Sequence, residues 1–356
     1  MSAKIKRCKE CGVPLMVSNG HTWHDNGVLT QTSDPDHRML FYESANIDAL
    51  FAGIEDIIGL SIEKIVVDGK RREVKEYVEK MLSPIARGMA RHIGIGMVID
   101  KLSKNGRAFG YGEIGLLDRR RKGDDGDYVT MSVNNPHSLL FFCGEVLGAW
   151  EAIDGREHYV EHDQVGENAY HITCRVGPHP IELQERLQLT RYKYKPGDIA
   201  YDRCSSCNVP LNVAKYVWDL ENGTITHPQN GRRMAIFGPR GMEAILDDLE
   251  TELGEAIPEV IIEAQRRYIK EAMNDMTWLG EPERYRRMLA FRGLGNMNRF
   301  EASDRRVSVT MENPCIPLMV VGMVRAMFEL ISGSEESTYE FERAPDDLTI
   351  TVTASG

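Results

Sequence analysis

Four of the seven cysteines form two pairs of identical spacing, Cys8 and Cys11 in "KRCKECGVPL" and Cys204 and Cys207 in "YDRCSSCNVPL". A Cys-x-x-Cys turn offers two thiolates to one side of an ion, and tetrahedral zinc needs four such ligands. Neither stretch has a second pair nearby, so the economical arrangement is one metal site completed jointly by Cys8, Cys11, Cys204 and Cys207. Metal-binding energy then becomes folding energy and pins the two stretches together. Other readings stay open. Each turn could hold its own ion with histidine help, for which the first has His21, His24 and His37 and the second only His227. The pairs could instead be redox dithiols, although no thioredoxin-like helix pattern follows them. Tetrahedral sulfur also suits iron, which leaves it as the alternative to zinc.

Beyond the cysteines the two stretches keep step. Trp23 matches Trp218, Arg38-Met39 matches Arg233-Met234, Gly59 matches Gly254 and Arg71-Arg72 matches Arg266-Arg267, all at an offset of 195 residues. This predicts a duplication: residues 1–182, a linker over 183–200 containing Lys195-Pro196-Gly197, and residues 201–356, the two halves being related by a pseudo-twofold axis. Between Leu82 and Gly112 the first half carries 17 additional residues, after which the offset falls to 178. The insertion, "RHIGIGMVIDKLSKNGRAFGYG", reads as a helix and a flexible connection. It is placed to cover a site that only the first half has, with His92, Tyr111 and Glu113 as candidates for a lid.

The positioning elements follow from periodicity. Ile47, Leu50, Phe51, Ile54, Ile57 and Ile58 lie on one face of a helix, as do Met242, Ile245, Leu246, Leu249 and Leu253. Second helices are expected from about Ser61 to Met81 and from about Pro258 to Met276. Period-two patterns in "GEIGLLDRRR" and "YVTMSVNNP" predict paired strands, and "RFEASDRRVSVTMENP" is their counterpart. Asn135-Pro136 and Asn313-Pro314 should open amphipathic helices, proline being suited to a first turn. Two further strands close each half, near His158–Asp163 with Tyr170–Cys174 and near Thr338–Glu342 with Leu348–Thr353. The fold class is therefore α+β: each half a Cys-x-x-Cys knuckle with little core of its own, helices, and an antiparallel sheet in strand-strand-helix-strand-strand order. The equal placement of Trp150 with Phe328 suggests packing, and that of Glu151 with Glu329 suggests solvated or capping acids.

The 356 residues are 42% hydrophobic and 27% charged, enough for a normal core in each half. A net charge of −11 disfavours a nucleic-acid groove, which needs a basic field. No apolar run follows the basic start, and the stretch Ile316–Ile331 is interrupted by Pro317 and Arg325, so neither a signal peptide nor a membrane span is expected. A cytoplasmic protein with reduced cysteines is the expectation. Phosphate loops, dinucleotide fingerprints and Gly-x-Ser-x-Gly elbows are missing, which argues against ATP hydrolysis and Rossmann-type hydride transfer.

The order of elements, with "NPHSLLFFCGEVLGAWEAIDG" leading to "YVEHDQVGENAYHITC", resembles the 4-vinyl reductase domain, related to phenol-responsive sensor domains and to trafficking-complex subunits. The "CKECG" knuckle resembles those of rubredoxins. The first resemblance implies a small-molecule pocket between sheet and helices and, in the sensor branch, a metal held by cysteines and a glutamate. Carried over, that ligand set falls near His137 in the first half and Cys315 in the second, then on Glu161 and Cys174. A further cysteine of the pattern is missing, His162 or Asp163 being the available substitutes, and Thr353 stands where the second half would need Cys174. His137, Cys143, Glu161 and Cys174 are thus the candidate ligand-binding residues. Their plainer reading is a helix cap, two core thiols and a solvent-facing acid. The expected function is binding of a small hydrophobic or aromatic molecule in a carrier or accessory role. An enzyme acting on such a ligand, or an assembly subunit, is the alternative, and a homo-oligomer is compatible with either.

Overall fold

The computed structural model describes residues 5–90, 95–179, 192–273 and 281–355. The first part of the chain forms α1 (Leu15–Gly20), β1 (His21–Trp23), β2 (Leu29–Gln31), β3 (Asp34–Glu43), α2 (Ser44–Ile58), α3 (Glu63–Met81), α4 (Pro84–Met89), α5 (Ile95–Phe109), β4 (Glu113–Arg120), β5 (Tyr128–Asn134), α6 (Leu139–Asp154), β6 (His158–Gly166) and β7 (Ala169–Val176). The second part forms α7 (Leu211–Ala214), β8 (Val217–Asp219), β9 (Thr224–Thr226), β10 (Arg233–Phe237), α8 (Arg240–Leu253), α9 (Ile257–Ala272), α10 (Pro282–Phe291), β11 (Asn296–Ser303), β12 (Arg306–Glu312), α11 (Pro317–Ser332), β13 (Ser337–Ala344) and β14 (Asp347–Ala354). The expected boundary at residue 182 and the first part of the linker, like His92, lie outside the described residues.

Two four-stranded antiparallel sheets share one strand order, β4-β5-β7-β6 and β11-β12-β14-β13. Their inner faces follow the period of two: Val129, Met131 and Val133 on β5 and Val307, Val309 and Met311 on β12 are buried, while the residues between them are only half-buried. Helix α6 covers the first sheet and α11 the second. Each crosses a second helix closely because glycine sits at the contact. A Cβ on Gly144 would lie 2.6 Å from the carbonyl oxygen of Val67, and one on Gly322 would lie 2.5 Å from that of Ile262. At Gly148 the clash, with the carbonyl of Arg71, would be at 2.2 Å. Gly148→Ala is therefore expected to force α3 and α6 apart and to cost roughly 1–3 kcal/mol, read as a lowered urea midpoint at unchanged slope.

Helices α6 and α11 pack on the sheet of their own part of the chain, as expected, but the knuckles and helices α2 and α8 do not stay within their halves. The knuckle strands join into one six-stranded sheet, β1-β2-β3-β10-β9-β8, closed in the middle by β3 against β10 with Phe41 opposite Ile236. Helix α2 packs on α9, and α8 packs on α3, so the helices cross between the two parts of the chain. One core cluster accordingly runs from Leu50 and Phe51 through Ile245 and Leu249 to Ile262 and Met319. The physical reason is that each three-stranded knuckle sheet has unpaired edges, and pairing β3 with β10 removes one from each. The knuckles are not short of core once joined: Val13, Val17, Trp23 and Phe41 pack with Val209, Val213, Trp218 and Ile236.

Arginines seal this junction reciprocally. Arg38, 1% exposed, donates to the carbonyls of Gly293 (2.9 Å), Asn313 (2.6 Å) and Pro314 (3.1 Å). Arg233 donates to those of Gly110 (3.1 Å), Pro136 (3.0 Å) and Asn135. Asn135 and Asn313 both take the left-handed conformation at φ 52°, which turns these carbonyls toward the arginines. That turn also displaces the prolines. Helix α6 starts at Leu139 with Ser138 as its cap, and α11 starts at Pro317, so Pro136 and Pro314 lie before the helices rather than in their first turns.

Candidate functional site

The knuckles are matched bond for bond. The amide of Cys8 donates to Val13 O at 2.8 Å and that of Cys204 to Val209 O at 3.0 Å. Gly12 (φ 77°) and Asn208 (φ 59°) turn each loop back through the left-handed region. Across the junction Arg7 donates to Trp218 O at 2.5 Å, and Arg203 returns the contact to Trp23 O at 2.8 Å. Glu10 accepts from the hydroxyls of Ser205 and Ser206, both at 2.6 Å. The result gathers Cys8, Cys11, Cys204 and Cys207, whose sulfur atoms all lie within 4.8 Å of one another. Sγ of Cys8 is 3.8 Å from that of Cys204, and Sγ of Cys11 is 3.5 Å from that of Cys207. Four sulfurs about 2.3 Å from a tetrahedral ion would sit about 3.8 Å apart, so the cluster could hold a metal ion. The amides of Cys11 and Glu10 point at Cys8 and hold its thiol down to about 7, whereas burial pushes Cys11 up to about 12 and raises Cys207, so ion binding would have to displace protons from the cluster.

A cavity of about 220 Å³ lies between α3, α5, α6, the β4–β5 pair and strands β2 and β3 of the shared sheet. Ile99, Leu102 and Phe109 of the inserted helix form one wall, Phe142, Val146 and Trp150 of α6 another. The insertion thus walls a space that belongs to the first four-stranded sheet. One end of this apolar space is ionisable: Lys70, Glu73 and Glu145 all line it. Lys70 Nζ is 2.7 Å from Glu73 and 3.7 Å from Glu145. Burial raises the Glu145 carboxyl to about 7 against the pull of Lys70, and Glu73 adds to the rise. Gln31, His37, Glu73 and Tyr77 are shared with a polar vestibule that adds Ser33, Asp34, Glu76, Lys80 and Arg240.

The sequence candidates are placed as follows. His137 is 1% exposed and stacks on Tyr111 with ring centroids 4.3 Å apart. Its Nε2 stands 3.6 Å from Glu145, and neither ring nitrogen has a hydrogen-bond partner. Burial holds the ring neutral, helped by Lys70 and Arg233. Cys143 and Cys174 are fully buried in the core under the first sheet, and burial pushes the Cys143 thiol up to about 12. Glu161 is on the outward face of β6, paired with Arg175 at 3.0 Å. Glu151 and Glu329 are neither solvated nor capping: they are 0% and 1% exposed and bind Arg71 (2.9 Å) and Arg266 (2.7 Å). Glu113 pairs with Arg107 at 2.6 Å.

Sequence reasoning missed Lys70, Glu73 and Glu145. The signal was in the offset. Positions 195 residues after Lys70 and Glu73 hold Gln265 and Tyr268, and the position 178 residues after Glu145 holds Met323, whereas Arg71 and Glu151 correspond to Arg266 and Glu329. The structural ion pair recurs, and the cavity charges do not.

No protein-family model matches the chain, and a search of curated proteins returns no match. Among solved structures, the phenol-responsive sensory domain of the transcription activator PoxR with phenol is similar at 12% identity and a TM-score of 0.30, over 42% of this chain and 80% of that one. A T. tengcongensis H-NOX is similar at 12% identity and a TM-score of 0.25, over 34% and 75%. A Cs H-NOX follows at 11% identity and 0.26, over 39% and 81%. These partial likenesses leave the ligand and the reaction to the site itself. Among the described residues no helix is long and apolar enough to cross a membrane.

Proposed function

We propose that the chain is a duplicated small-molecule-binding protein, with zinc in the four-cysteine cluster as a structural clamp and a small, mainly apolar or aromatic ligand in the cavity. The observation that carries this reading is the cavity walled by the inserted α5, apolar along its length and ionisable at one end. Apolar burial gives such pockets their affinity, and a few polar groups set orientation. The volume suits one ring with a short substituent, since about 150 Å³ of enclosed apolar space already takes benzene. At the corresponding positions of the second part Gln265, Tyr268 and Met323 replace Lys70, Glu73 and Glu145, and the 17 additional residues of the first part have no counterpart. This favours one ligand per chain.

The test is mass spectrometry of small molecules extracted from the purified protein, beside a variant with the cavity filled. Val146→Trp should abolish a ligand that the unmodified protein carries at about one per chain, with little change in far-UV circular dichroism. Retention of the same compound by Val146→Trp would overturn the assignment.

A further inference from the structure

The ionisable end of the cavity narrows the ligand class beyond apolar or aromatic, an inference that rests on the cavity reading above. Among the described residues Glu145 has no donor within hydrogen-bond distance. Lys70 approaches it to 3.7 Å and His137 to 3.6 Å, both beyond hydrogen-bond distance, while Lys70 is engaged by Glu73 at 2.7 Å. The groups facing Glu145 are Lys70 and Glu73 from α3, the His137 ring from the loop before α6, and Tyr111 after α5, with His37 of β3 behind Glu73. Burial keeps both histidines neutral. Two carboxylates therefore face a single ammonium. An anionic headgroup would bring a further negative charge to a largely desolvated space whose one base is already engaged by Glu73, which is unfavourable. A cationic one would balance the set.

The aromatic lining points the same way. Phe109, Tyr111, Phe142 and Trp150 line the same space, and a desolvated cation gains from aromatic neighbours as well as from a carboxylate. The vestibule adds two acids, Asp34 and Glu76, and two bases, Lys80 and Arg240, so it leaves the cavity's own excess of acid uncancelled. We propose that the cavity binds an amphipathic amine, a one-ring or branched aliphatic body carrying one protonated nitrogen that pairs with Glu145 and lies near Glu73.

The pairing needs Glu145 ionised. A bound ammonium favours that state, so binding below neutrality releases a proton from Glu145, and affinity rises with pH and levels off above about 7. Going from pH 8 to 6 weakens the amine by about tenfold.

The experiment is isothermal titration of the full chain with phenethylamine, phenethyl alcohol and phenylacetate, at pH 6 and 8, in two buffers of different ionisation enthalpy. The amine is expected to bind at least about tenfold more tightly than the alcohol at pH 8, phenylacetate should be weakest, and amine binding at pH 6 should release close to one proton. Glu145→Gln should bring the amine to the affinity of the alcohol and abolish the proton release. Equal or tighter binding of alcohol or carboxylate, or an unaltered preference in Glu145→Gln, overturns the amine assignment while leaving the cavity reading in place. Binding of none of the three would overturn the cavity reading itself.

Discussion

Cys204→Ser is expected to remove zinc from the purified protein, from one ion per chain to well below that, and to loosen the whole knuckle junction. Four sulfurs within 4.8 Å of one another come from loops 196 residues apart, so an ion held there would tie the two parts of the chain together. Structural zinc in small peptides contributes about 10–16 kcal/mol at pH 7. Only part of that is at stake here, because three thiolates, the β3–β10 pairing and the Arg7 and Arg203 contacts remain. The expected readings are loss of zinc by elemental analysis, a melting temperature lowered by several degrees, and faster proteolysis within residues 201–216. Cys143→Ser is the control, since that thiol is buried in the core under the first sheet and should leave the metal content unchanged. Stoichiometric zinc in a Cys204→Ser/Cys207→Ser double variant would sink the shared clamp.

How much of this was legible in the residues depends on the distance over which the physics acts. The helices α2 and α3 and the strands β5, β7, β12 and β14 follow from local periodicity, because burying one face imposes 3.6 or 2 on the sequence. The meeting of the cysteine pairs could be argued from ligand counting, since zinc needs four and each turn supplies two. The crossing of α2 onto α9 and of α8 onto α3 had no such signal. An apolar helix face such as Ile47, Leu50 and Ile54 is the same whether its partner lies in the same half or the other. Glu151 was misread for a related reason: Arg71 and Arg266 recur at the helix offset, but only three-dimensional packing aims them at Glu151 and Glu329. The cavity charges were hidden because Lys70, Glu73 and Glu145 look like ordinary solvated residues of a charged helix. Only their replacement by Gln265, Tyr268 and Met323 at the corresponding positions distinguishes them.

Glu151→Ala is the substitution expected to damage the fold most, and its comparison with Glu161→Gln separates support from surface. Glu151 is 0% exposed and accepts from the Arg71 guanidinium at 2.9 Å, Lys75 at 3.3 Å, the His158 amide at 2.9 Å and the His179 ring. Removing it leaves Arg71 to Asp68 alone and leaves the His158 amide buried without an acceptor. Breaking a buried pair from one side costs about 3–5 kcal/mol, several times a typical surface change. Burial alone would raise the Glu151 carboxyl, but His179, Arg71 and the His158 amide outweigh it and hold it down to about 2. Its contribution is therefore complete above about 4.5, the ordinary value, and is lost as pH falls from there toward 2. Urea unfolding at pH 7 and pH 3 should show a large gap between Glu151→Ala and the unmodified protein at the higher pH, narrowing at the lower. Glu161→Gln, on the outward face of β6 and paired only with Arg175, should stay within about 0.5 kcal/mol at both. If instead Glu161→Gln removed a bound ligand or metal while Glu151→Ala unfolded no more easily, the roles read from their burial would have to be exchanged.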